Sequence, residues 1–297
     1  MIETLLQRVT RIPLRTWCRA YDPRLGRAPS RLRGAGMEFD QLKEYQEGDR
    51  IRTINWAATA RRGRSPVVVN TYYEEKELTV MLLVDLSASM EFGSVRLSKK
   101  ALAAEVSASL IYSALVTHNR VGFLGFTSQA DIYWPPRSLW AYQRGIPEAI
   151  LQASSTRAEA NIEAAVSALE DRLKYPALVF LMSDFLSDDP QQFSQALLRL
   201  CRRHDLIALP ITDPRESTLP PGNAQMAMRD LETGDVIVYR FSRQNRDAMA
   251  TLAQVRYAQL QQVFRALGIA HVMVTPQSDY PADLTQVFLG RRRRNTG

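Results

Sequence analysis

The chain has 297 residues, 45% hydrophobic and 23% charged, with a formal net charge of +7. That is enough apolar material for one large domain or two modest ones, and it excludes bulk disorder. No apolar run approaches the roughly 20 residues that cross a bilayer, and the arginine-bearing N-terminus has no continuous apolar stretch, so neither a transmembrane segment nor a signal peptide is expected.

Cys18 and Cys201 stand far apart and have neither metal-ligand spacing nor the pattern of a disulfide framework, which fits a reducing cytoplasm. The positive charge gathers at the ends. Residues 1–35 hold eight arginines against Glu3 and Asp22, and Arg291-Arg292-Arg293-Arg294 sit near the other end. Basic ends are compatible with an anionic membrane surface. No aromatic side chains are interleaved with the terminal arginines to stack on bases, which speaks against nucleic acid.

In chain order, residues 1–75 are rich in Arg and Gly and lack strong periodicity, so they read as an N-terminal extension. Leu78–Val84 is apolar but for one Thr and reads as a strand buried on both faces. Leu102, Val106, Leu110 and Ala114 then step along one face of a helix. Val121–Phe126 is a second buried strand, and Tyr133-Trp134-Pro135-Pro136 reads as an exposed strand end and loop. A helix through Ile162, Val166 and Leu169 precedes a strand at Leu178–Met182. Asp189-Pro190 opens a helix through Phe193, Leu197, Leu200 and Cys201, and a strand follows at Leu206–Ile211. Residues 216–242 break the rhythm and read as an inserted β-hairpin around Glu232-Thr233-Gly234-Asp235. A last helix through Leu260, Val263, Phe264 and Leu267, capped by Gly268, leads to a strand at Ile269–Val274. Strands alternating with helices predict an α/β, doubly wound, mainly parallel sheet over residues 76–290, with residues 291–297 as a basic tail.

In such a sheet ligands sit beyond the carboxyl ends of the strands. Two of those ends carry acids, in Asp85-Leu86-Ser87-Ala88-Ser89-Met90 and in Ser183-Asp184. Asp85, Ser87 and Ser89 alternate along the loop and can converge on one side. With Asp184 they make a hard oxygen site suited to Mg²⁺ or Mn²⁺, not zinc, with water or a partner's carboxylate completing the shell. The loop lacks the glycines and lysine of a phosphate cradle, and no histidine is placed to activate a serine.

DLSASM after a buried strand resembles the first loop of the metal-ion-dependent adhesion site of von Willebrand factor A domains. The stretch upstream resembles the bacterial family called domain of unknown function 58. The residues that carry this are Gly36-Met37-Glu38-Phe39, Leu42-Lys43-Glu44-Tyr45-Gln46-Glu47-Gly48-Asp49, Arg52-Thr53-Ile54-Asn55-Trp56 and Ala60-Arg61. Ser183-Asp184-Phe185 and Asp230-Leu231-Glu232-Thr233-Gly234 add to the match. The resemblance implies a von Willebrand factor A-like fold, a role in protein binding and not catalysis, and a partner among the MoxR-type AAA+ ATPases. It carries the metal site to Asp85, Ser87, Ser89 and Asp184. The middle-loop threonine of the family falls at Ala160, which weakens the site, and Thr156 is the nearest substitute. Within the upstream motif, Phe39, Tyr45 and Trp56 are expected as packing anchors, Glu44, Asp49, Arg52 and Arg61 as an ion-pair network, and Arg52 and Arg61 as a partner surface. The alternatives are a metal-dependent phosphohydrolase using Asp85 and Asp184, and binding of nucleic acid or membrane through the basic ends.

Overall fold

The structure is a computed structural model. It describes residues 2–14, 33–34, 38–47, 49, 51–61, 63, 66–73, 77–95, 97–154, 159–186, 190–218, 225–229, 236–240 and 242–294. Thr156 and the 230–235 turn lie outside them. The chain divides into two compact units, Met1–Cys18 with Leu78–Gly297, and Arg19–Glu77.

The larger unit begins with helix α1 (Ile2–Leu6). The smaller unit holds β1 (Arg33–Gly34), β2 (Glu38–Glu44), a single 3-10 turn at Ile51–Thr53, α2 (Trp56–Arg61) and β3 (Val68–Tyr73). Its strands form an antiparallel sheet in the order β1-β3-β2. Asn55 caps α2 by accepting from the Ala58 N–H at 2.8 Å. This order was not visible in the sequence, because the strands are short and do not alternate cleanly.

The larger unit continues with β4 (Thr79–Asp85), α3 (Lys99–Val116), β5 (Arg120–Phe126), β6 (Ala130–Arg137), α4 (Tyr142–Gln152), α5 (Ile162–Arg172) and β7 (Leu178–Ser183). There follow α6 (Pro190–Arg203), β8 (Asp205–Pro210), α7 (Pro214–Ser217), the antiparallel pair β9 (Gln225–Arg229) and β10 (Val236–Arg240), α8 (Arg243–Ala266), β11 (Ala270–His271) and α9 (Tyr280–Arg294). The main sheet has the order β11-β8-β7-β4-β5-β6, parallel except for β6. This is the expected von Willebrand factor A-like α/β fold.

Alternate residues of the central strand feed two cores. Val80, Leu82 and Val84 pack with residues of α3, α4 and α9, while Met81 and Leu83 pack with residues of α5, α6 and α8. Helix α3 is buried nearly all round. That explains a departure from the expected boundaries, since the first 18 residues go with the larger unit. Leu5 and Ile12 join the core on α3's side of the sheet, and the Ile12 N–H donates to Ser113 Oγ at 2.8 Å.

The Tyr133–Pro136 stretch is no loop: it lies within β6, where an edge position tolerates two prolines that could not donate to a central ladder. Of Ile269–Val274, only Ala270–His271 is strand, with Val274 bridging Ile211. Arg291–Arg294 form no separate tail but complete α9. Tyr45 and Trp56, expected as anchors, are exposed. Asp49 is held by Lys43, at 3.3 Å, and by the Gln46 N–H. Gly268 does end α8's last turn, with φ at +69°.

Two predictions follow from this packing. Leu83 is completely buried in the central strand, so Leu83→Asp places an unpaired charge in the core. No cooperative thermal transition should remain by circular dichroism, and a normal melt would contradict the packing. His204 is also buried, and neither ring nitrogen has a partner among the described residues. Burial, with Arg203 adding to it, lowers its pKa from 6.5 to about 4. Between those values the unfolded chain takes up a proton that the folded one refuses, so stability falls as pH drops from about 6.5 towards 4 and loses nothing more on this account below. In urea melts across that range, His204→Leu should show a shallower loss than wild type, and parallel pH profiles would refute the assignment.

Candidate functional site

The chain moves outward from β4 to β5 on one side, then returns to β7 on the other side of β4 and continues to β8. Loops leaving β4 and β7 therefore run to opposite faces, and a crevice opens between the strand ends. Asp85 ends β4, and Ser183-Asp184 closes β7.

Asp85 is fully buried. Its Oδ1 accepts from the Ser87 N–H at 2.8 Å, and its Oδ2 accepts from Ser183 Oγ at 2.6 Å. Ser183 Oγ in turn accepts from the Phe185 N–H at 3.1 Å, so one relay joins the two strand ends. Burial first, and the nearby Asp184 carboxylate second, raise the Asp85 pKa from 3.8 to about 7, with the Ser183 and Ser87 hydrogen bonds opposing. Ser87 Oγ and Ser89 Oγ lie 3.1 Å apart. The expected trio Asp85, Ser87 and Ser89 is thus gathered in one loop.

Asp184 is adjacent but engaged elsewhere. Its Oδ1 accepts from the Leu186 N–H at 3.0 Å, and its Oδ2 receives the Lys99 ammonium at 2.5 Å. Lys99 also binds Glu216, the capping-box acid of α7. The side chains of Lys99 and Asp184 are 1% and 0% exposed. Burial works against the Lys99 charge, but Asp184 and Glu216 outweigh it and hold its pKa above the ordinary lysine value. Next to Asp184, Phe185 has φ at +53°, a left-handed conformation that costs a bulky residue about 1–3 kcal/mol. Its ring is locked against Phe193 and Phe264, and its carbonyl accepts from Arg256.

Ala160 is buried and offers no side-chain oxygen. Asn161 beside it caps α5 by accepting from the Ala164 N–H at 2.9 Å. Arg52 and Arg61 are exposed in the smaller unit, on the 3-10 turn and at the end of α2.

Lys99 and Glu216 were missed in the sequence, and Ser183 was read there only as part of the strand end Ser183-Asp184 and not as the donor to Asp85. Lys99 left a signal, because two lysines follow the Ser98 N-cap at the start of a helix. Cations in a first turn oppose the helix dipole, so something outside the helix must hold them. Lys100 is likewise buried and bonds Glu91 at 2.5 Å and the Ala153 carbonyl.

Magnesium wants about six oxygens at roughly 2.1 Å, with neighbouring ligands about 3 Å apart. The Ser87 and Ser89 hydroxyls have that separation, and a buried carboxylate stands behind them. Among the described residues no group of three or more His, Cys, Asp or Glu side chains gathers to hold a metal. Ser87 and Ser89 would thus be the hydroxyls to hold a small hydrated ion, backed by the Asp85 carboxylate whose two oxygens already accept from the Ser87 N–H and Ser183 Oγ, while Asp184 faces the Lys99 ammonium.

Residues 41–259 match the model of the family described as "Protein of unknown function DUF58". The chain belongs to this family. It is 28% identical over 264 residues to an uncharacterized protein of Mycobacterium tuberculosis, covering 88% of this chain and 81% of that one. A shorter uncharacterized protein of Mycobacterium avium is 26% identical over 145 residues, covering 48% of this chain and 84% of that one. Among solved structures, the conserved hypothetical protein BatB from Bacteroides thetaiotaomicron is similar in fold, with a TM-score of 0.50 at 16% identity over 73% of this chain and 99% of that one. The SpRpn10 VWA domain matches with a TM-score of 0.41 at 12% identity, covering 70% of this chain and 94% of that one. No described helix is long and apolar enough to cross a membrane.

Ser183→Ala removes the donor to Asp85 Oδ2 and leaves a buried carboxylate with one bond fewer. It should cost about 1–3 kcal/mol in urea unfolding. An unchanged midpoint would mean that this bond does not hold the strand ends together.

Proposed function

We propose that this protein is a cytoplasmic adaptor that binds a MoxR-type AAA+ ATPase through the face at the carboxyl ends of its parallel strands. In this reading Mg²⁺ or Mn²⁺ rests on Ser87, Ser89 and Asp85, and a carboxylate of the partner completes its shell. The bound ion would supply a bridging positive charge, while the chain's own residues place it and withhold Asp184 from it. The ATPase is what the family resemblance implies. The observation that carries the reading is the convergence of Asp85, Ser87 and Ser89 at the point where the strand order reverses.

The surroundings of the crevice support binding. Beside Asp184 lies a groove of about 630 Å³ whose walls include Phe185, Met249, Leu252, Tyr257 and Leu260. Leu252 is exposed on α8, as is Val255 one turn further along. Apolar side chains beside a polar centre suit a protein partner, with a desolvated core around one charged contact.

The test is co-purification with a MoxR-type ATPase of the same organism at physiological ionic strength, which screens the contribution of the basic ends. Asp85→Ala should reduce capture at least tenfold, and Ser87→Ala should reduce it less, since water can replace a hydroxyl. EDTA should mimic Asp85→Ala, and excess Mg²⁺ should reverse the EDTA effect. Equal capture by Asp85→Ala in EDTA and by wild type in Mg²⁺ would refute the metal bridge.

A further inference from the structure

We propose that the Lys99 ammonium is the resident cation of this crevice, and that it sets the site's affinity for divalent ions by occupying Asp184. The inference rests on the reading that places a divalent ion at Asp85, Ser87 and Ser89.

Lys99 stands where an ammonium is costly. A lysine in the first turn of a helix works against the dipole, and a buried ammonium is tolerated only when paired and hydrogen-bonded. Lys99 meets that condition with two carboxylates from separate elements, Asp184 at the end of β7 and Glu216 on α7. The loop before α3 is shaped to deliver it. The Lys99 N–H donates to the Phe92 carbonyl at 2.9 Å, and Ser98 caps the helix. Gly93 lies so close that a Cβ there would stand 2.5 Å from Ser98 Cα, so the loop closes only around glycine. Ser94 donates to Asp213, which in turn caps α7 and so fixes Glu216. Loop, helix start and both acids form one frame around the ammonium.

The consequence concerns charge. Both Asp184 oxygens are engaged, one by Lys99 and the other by the Leu186 N–H. A divalent ion drawing on Asp184 would have to displace a positive charge or sit beside it. Together with the missing middle-loop oxygen at Ala160, this leaves the ion two hydroxyls and Asp85, whose oxygens accept from the neutral Ser87 N–H and Ser183 Oγ and not from an ammonium. With Lys99 supplying the charge that Asp184 needs, the folded state requires no divalent ion. Removing the ammonium leaves Asp184 and Glu216 uncompensated and frees Asp184 to join Ser87, Ser89 and Asp85 around a divalent ion whose charge replaces that of the ammonium.

The test uses the full chain as wild type, Lys99→Met and Lys99→Gln. Lys99→Gln keeps a donor for the acids while removing the charge. Mn²⁺ binding is followed by titration calorimetry or electron paramagnetic resonance, and melting is followed in Mg²⁺ and in EDTA. Wild type should bind Mn²⁺ weakly and melt at the same temperature in both buffers. Both variants should bind Mn²⁺ at least tenfold more tightly, melt lower in EDTA and recover in Mg²⁺. Variants that bind Mn²⁺ no better than wild type would overturn the proposal. So would failure of both variants to fold even in excess Mg²⁺, because the ion is held to stand in for the ammonium. Asp85→Ala separates the two readings. Unchanged Mn²⁺ uptake in Asp85→Ala places the metal elsewhere, whereas uptake lost in Asp85→Ala but not gained in the Lys99 variants sinks only this inference.

Discussion

The buried ion pair between Lys99 and Asp184 is the constraint on which the strand-end face depends. Two charges withdrawn from water are tolerated only with good geometry and further hydrogen bonds. The protein supplies both, through Glu216 on the ammonium and the Leu186 N–H on the carboxylate. The pair joins the start of α3 to the end of β7, across the crevice where loops from neighbouring strands part. Phe185 keeps its strained backbone because its ring is locked in the core, and that holds the loop carrying Asp184 in place. Lys100, the next residue, ties the same helix start to Glu91 and to the end of α4. Two consecutive lysines that suit neither the helix dipole nor the interior are thus explained by the loops they hold.

Much of the fold could be read in the sequence because parallel strands covered on both faces are apolar without interruption. Leu78–Val84 and Leu178–Met182 announce themselves in this way, and each helix between them buries an apolar face. The strand-end acids were legible for the same reason, since Asp85 and Ser183-Asp184 stand where buried runs stop. Signals failed where tertiary context overrides local pattern. Edge strand β6 looks like a loop because of Pro135 and Pro136, and α4 has Pro147 within it. The short antiparallel strands of the smaller unit carry no clean alternation. Residues 2–14 show nothing in their own pattern of the helix they cover.

The site was legible as a list of oxygens but not as an arrangement of charge. Sequence spacing gathers Asp85, Ser87 and Ser89, because they share one loop. It cannot tell that Asp184 faces an ammonium, because Lys99, Asp184 and Glu216 are far apart along the chain and a lysine reads by default as a solvated side chain. The difference matters for function. A crevice that carries its own cation can keep its shape without metal and still present hydroxyls and a buried carboxylate to a weakly held ion. Under the proposed adaptor role, the partner would complete the contact.

The central claim is that Lys99 and Asp184 stabilise the crevice as a pair, and a double-mutant cycle measures this directly. Lys99→Met, Asp184→Asn and the combined variant would be unfolded in urea in the presence of EDTA. Lys99→Met leaves the buried Asp184 without its cation and should cost about 3–5 kcal/mol, Asp184→Asn leaves Lys99 with Glu216 as a remaining carboxylate and should cost less, and the double variant removes both buried charges. The account predicts that the double variant is more stable than Lys99→Met alone, with a loss smaller than the sum of the two single losses. Additive losses, with the double variant the least stable of the three, would contradict it.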